Sequence, residues 1–75
     1  MFDSKIFASR LHTARKAKGL TQQQLAKQLM LSTQAVSKWE QGKAVPDIFN
    51  LCSLADVLQT PLESLLGTTT SGDPA

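Results

Sequence analysis

One cysteine, one histidine and no tyrosine in 75 residues leave little for covalent or metal chemistry to work with. Cys52 alone excludes an internal disulfide or a redox pair, and a single His12 cannot complete a zinc quartet with it. Paired carboxylates, a nucleophile beside a base and a glycine-rich phosphate loop are all missing, so neither an enzymatic activity nor a cofactor or metal is expected. No apolar run approaches the roughly 20 residues of a membrane span, and MFDSKIFASR lacks the apolar centre of a signal peptide. The expectation is one small cytoplasmic domain that stays off membranes.

What is present points to helices. Eleven leucines against three phenylalanines and one tryptophan favour a helical core over a sheet. Charge is polarised along the chain. All eight basic residues fall between Lys5 and Lys43, where Glu40 is the only acid, so that segment carries a formal +7. The other five acids lie outside it and bring the net charge back to +2. A basic first half suits an anionic partner, with nucleic acid ahead of a membrane surface, although a solvated helix face carries charge in the same way.

Periodicity and capping residues divide the chain into five helices. Phe7, Leu11 and Ala14 recur at helical spacing between Ser4 and Lys18, and Gly19 is placed to end that helix. Thr21 with Gln24 three residues on forms a capping box for a second helix whose inner face is Leu25, Ala26 and Leu29. Met30 and Leu31 make a short apolar turn, and Ser32 caps a third helix that runs to Gln41 and stops at Gly42. Asp47 caps a fourth, with Ile48, Leu51, Leu54, Ala55 and Leu58 at helical spacing as the core helix. Thr60-Pro61-Leu62-Glu63 predicts a fifth, with Thr60 capping and Pro61 in the first turn, ending at Gly67. The expected domain covers residues 1–67, and the polar, aperiodic TTTSGDPA of residues 68–75 is expected to be a flexible tail or the start of a linker.

The third helix has the composition of a reading surface. At about 100° per residue, Thr33, Gln34, Ser37, Lys38 and Gln41 fall within an arc of roughly 140°, and Ala35, Val36 and Trp39 lie opposite. Hydroxyl, amide and ammonium groups are the donors and acceptors that read base edges and phosphates, and Gln34 can present its amide bidentately to adenine. Many surface helices look the same, so the arc gains meaning from its setting. Two short helices three residues apart, the second with a polar outer face, match helix-turn-helix geometry. Trp39 lies opposite Gln34 and reads as core. His12 projects away from the first stripe and reads as an exposed neutral side chain, and Cys52 beside Leu51 reads as a small core residue.

GLTQQQLAKQL, STQAVSKWEQGK and PDIFNLCSLADVLQTPLESLL together resemble the helix-turn-helix domain of Cro and the lambdoid phage repressors, from about Phe7 to Leu66. Ala14 departs from the larger aliphatic residue usual there, so thinner packing is expected at that point. The resemblance implies an all-α five-helix domain in which Thr33, Gln34, Ser37 and Lys38 face the bases. It also implies that Gln22, Ser32 and Lys43 meet phosphates, and that Arg15 and Glu40 form an ion pair joining the first helix to the third. For Gln22 a helix start with free N–H groups supports anion contact on physical grounds.

The function expected is sequence-specific binding of double-stranded DNA at a two-fold symmetric operator by a homodimer, for transcription regulation, with repression simpler than activation. The alternative is an interaction module, antitoxin-like or sensor-linked, whose main partner is another protein or a further C-terminal domain.

Overall fold

The structure, a computed structural model, describes residues 3–67. The expected polar tail, residues 68–75, lies outside them. Among the described residues there are five helices and no strand: α1 (Ser4–Ala17), α2 (Gln22–Leu29), α3 (Thr33–Glu40), α4 (Ile48–Leu58) and α5 (Leu62–Leu66).

Each helix start has a local cause except the last. Asp3 accepts from the Lys5 and Ile6 amides at 2.8 and 3.3 Å and begins α1, a cap that the apolar stripe did not reveal. At α2 the Thr21 hydroxyl takes the Gln24 amide at 3.0 Å while the Gln24 side chain takes the Thr21 amide at 2.9 Å, completing the box. Ser32 and Asp47 cap α3 and α4 through the amides of Ala35 and Asn50. The expected Thr60–Glu63 box does not form. Thr60 turns its hydroxyl back to the Leu58 carbonyl at 3.1 Å, and Pro61 stands at the cap position instead of inside the first turn, with no side-chain cap.

The turn between α2 and α3 is made by three residues and depends on Met30 in the left-handed region, φ 60°. That conformation costs a non-glycine residue about 1–2 kcal/mol. It lets the Leu31 amide bond the Ala26 carbonyl at 2.9 Å and swings Leu31 onto the core while Met30 itself faces water. Gly67 ends α5 at φ 72°, a conformation that favours glycine, and a Cβ there would also displace the Ile6 side chain.

The core comprises Phe7 and Leu11 of α1, Leu25 and Ala26 of α2, Val36 and Trp39 of α3, Leu54 and Leu58 of α4, and Leu65 of α5. Helix α1 packs on α3 and α5, and α2 packs on α3 and α4, so α3 is held from behind by two helices. Ala14 is half-buried against this core. Two expectations for α4 are corrected. Ile48 is exposed, and so is Phe49 beside it, so no neighbouring element covers these two side chains in the first turn of α4. Cys52 is also exposed, since one residue past Leu51 is a rotation of about 100°, enough to leave the buried stripe.

Candidate nucleic-acid interface

Helix α3 divides as its sequence predicts. Thr33, Gln34, Lys38 and Gln41 are exposed and Ser37 is half-exposed, while Val36 and Trp39 behind them are buried. The apolar back of the helix is therefore what aims its polar front outward. At its C-terminal end the Lys43 amide bonds the Lys38 carbonyl at 3.0 Å, and Gly42 takes φ 73° to permit it. This closure brings Lys43 beside the polar arc. Gln34, Ser37, Lys38, Gln41 and Lys43 line one shallow depression of about 220 Å³. Gln41 is an addition to the candidate readers, and its place in the helical projection was the available signal. Its amide donates to the Ser37 hydroxyl at 2.7 Å, which leaves the Ser37 proton free to donate outward.

Glu40, at the end of α3, holds the site to the rest of the fold. Arg15 grips it bidentately, Nε to Oε2 at 2.5 Å and Nη2 to Oε1 at 3.0 Å, and Nη1 donates to the Leu20 carbonyl at 2.7 Å. The pair is well enclosed, with side chains 8% and 4% exposed. Two further residues converge on Oε1, the Gln22 amide at 3.1 Å and His12 Nδ1 at 3.0 Å. His12 is exposed as expected, but its contact with an acid 28 positions away had no signal in the sequence. Burial by itself would raise the Glu40 carboxyl. The bonds with Arg15, His12 and Gln22 and the Arg15 charge outweigh it, holding the group below its ordinary 4.5. The bond to Glu40 likewise raises the Arg15 guanidinium, against the opposing effect of burial.

Gln22 is thus part of this junction and also the first residue of α2. The leading amides of that helix have no intrahelical carbonyl to pair with, and a depression of about 460 Å³ lined by Arg15, Lys16, Gly19, Leu20, Thr21, Gln22 and Gln23 lies over them. Ser32 spends its hydroxyl oxygen on the Ala35 amide and keeps its proton for an outside acceptor. Among the described residues no group of three or more His, Cys, Asp or Glu is placed to hold a metal ion. No helix among them is long and apolar enough to cross a membrane.

Two helices at a three-residue turn, the second presenting a polar face from an all-α core, define a helix-turn-helix domain. A helix-turn-helix family profile matches residues 11–65. The chain belongs to the helix-turn-helix family of DNA-binding regulators, of the Cro and phage-repressor type. It is 40% identical over 60 residues to the HTH-type transcriptional activator BcrR of Enterococcus faecalis, which covers 80% of this chain and 29% of that one. The cryptic phage CTXphi transcriptional repressor RstR of Vibrio cholerae is 36% identical over 58 residues, 77% of this chain and 52% of that one. The chain thus spans about half or less of these two relatives. Among solved structures it is similar to the restriction-modification controller protein C.AhdI from Aeromonas hydrophila, with a TM-score of 0.78 and 33% identity over 84% of this chain and 91% of that one. It is also similar to part of hydroxypropylphosphonic acid epoxidase from S. wedmorenis, with a TM-score of 0.80 and 27% identity over 87% of this chain and 35% of that one.

Proposed function

We propose that residues 1–67 form a DNA-reading unit that seats α3 in the major groove of an operator and thereby regulates transcription in the cytoplasm. The observation that carries this reading is the single surface depression that gathers Gln34, Ser37, Lys38, Gln41 and Lys43. Thr33, Gln34, Ser37 and Lys38 are the base readers. Gln22, Ser32 and Lys43 hold phosphates on either side, Gln22 through the open amides of α2 and Lys43 as a point charge. A single α3 spans too few base pairs for tight specific binding, so the working unit is a homodimer on two half-sites whose centres lie roughly 34 Å apart. Occlusion of a promoter is the simplest action for such a unit, although one relative is named an activator and another a repressor.

Titration of a fluorescent duplex at increasing salt tests the reading. The affinity should fall with a log–log slope of about −0.9 for each phosphate neutralised. Lys43→Ala should flatten that slope by about one and weaken all sequences alike, because a phosphate contact positions the domain without reading bases. A salt-independent affinity would favour a protein partner, and a Lys43→Ala loss confined to one base pair would contradict its role.

A further inference from the structure

Of Thr33, Gln34, Ser37 and Lys38, only Ser37 has its side chain held by another side chain. Gln41, one helical turn on, donates its amide N–H to the Ser37 hydroxyl oxygen at 2.7 Å. The backbone of Gln41 is fixed on the same residue, with its N–H donating to the Ser37 carbonyl at 3.0 Å. The contact therefore has an ordered base. It also has a direction: an amide nitrogen carries donors and no acceptor, so the Ser37 proton cannot return to Gln41. With one lone pair taken, that proton turns away from Gln41, and accepting a bond makes the hydroxyl a stronger donor. Lys38 and Lys43, in the same depression, have only donors to offer. The C-terminal half of the reading face is thus rich in donors, whereas Gln34 in the first turn offers both kinds of group.

We infer that Gln41 is a positioning residue that sets Ser37 as a donor, so that, on the DNA reading proposed above, the base opposite Ser37 is guanine or thymine and not cytosine. In the major groove guanine presents the acceptors N7 and O6 and thymine presents O4, while adenine shows one acceptor and one donor and cytosine only its N4 donor. An unheld serine hydroxyl rotates to suit any of them, as donor or acceptor. Held by Gln41, it discriminates. Specificity at this base pair then belongs to two side chains, of which Gln41 acts through Ser37 without touching the base.

Affinities of the full chain for duplexes varied one base pair at a time test this, with Ser37→Ala marking the pair that Ser37 reads. There the parent should favour guanine or thymine over cytosine by about two- to tenfold, the factor one neutral hydrogen bond supplies. Gln41→Leu should erase that preference, because the hydroxyl is free to turn, and should keep the preference set by Gln34. Gln41→Glu, whose carboxylate can only accept, should take the Ser37 proton and move the preference to cytosine or adenine. Its charge weakens all duplexes alike and leaves the ranking readable. An unchanged ranking in both Gln41 variants overturns the inference, as does a Ser37→Ala variant that loses preference at no pair. A loss spread evenly over all bases in Gln41→Leu also overturns it, by making the role structural. In the chain without DNA, Ser37→Ala should shift the nuclear magnetic resonance signals of the Gln41 side-chain amide. If they stay in place, the bond is not made and the inference falls while the DNA reading stands. If they move but no duplex binds, the DNA reading falls and takes this role of Gln41 with it.

Discussion

Glu40→Gln should lower the melting midpoint by on the order of 10–20 °C while leaving base preference unchanged. The substitution keeps the shape of the side chain and removes its charge, so the Arg15 guanidinium, 8% exposed, is left without its counter-ion. Stranding one partner of a buried pair costs about 3–5 kcal/mol. The low end applies here, because the Gln amide still accepts one bond, Leu20 retains its bond from Nη1, and the half-exposed His12 admits water to one side. The effect depends on pH with a definite sign. A carboxyl held below its ordinary 4.5 contributes stability that is fully present above that value and is lost as pH falls through the lower folded value. The parent and Glu40→Gln should therefore differ most near neutrality and converge in acid, as thermal melts across pH would report. A variant that melts like the parent but prefers a different base would transfer Glu40 from the fold to the reading surface.

Gln34→Ala carries the second large effect, on specificity. Gln34 is exposed in the first turn of α3, and the N-terminal residues of a recognition helix are those that enter the groove. Its amide offers a donor and an acceptor in a fixed fork, which matches adenine better than any other base. Removing it should cost about 1–3 kcal/mol at one base pair and little elsewhere, with folding intact. Thr33 and Ser37 should show smaller penalties, Ser37 because its oxygen already receives the Gln41 amide. Affinity measured on duplexes varied one base pair at a time reads this directly. A uniform loss would make Gln34 a backbone contact.

Most of this was legible in the sequence because the signals were local. Thr21, Ser32 and Asp47 cap where a hydroxyl or carboxyl reaches an amide three residues on, and the opposition of Gln34 to Trp39 follows from helical geometry alone. Ile48 shows where that logic stops: periodicity gives the side of a helix a residue occupies but not whether another helix extends far enough to cover it. Cys52 was assigned by adjacency to Leu51, though neighbours in sequence diverge on a helix. Thr60 had two local partners for its hydroxyl, and the Leu58 carbonyl prevailed over the cap. The meeting of His12 and Gln22 on Glu40 spans separations of 28 and 18 positions, and only the packing of α1, α2 and α3 together creates it.

The central claim is that α3 reads duplex DNA as one of a symmetric pair. Selection of bound sequences from a random duplex library, run with the parent and with Gln34→Ala side by side, measures it most directly. The account predicts an inverted repeat with half-sites about one helical turn apart, containing an adenine in each half whose enrichment vanishes with Gln34→Ala while the other positions persist. Recovery of no enriched sequence, or of a motif that Gln34→Ala, Thr33→Ala and Ser37→Ala all leave intact, would contradict it.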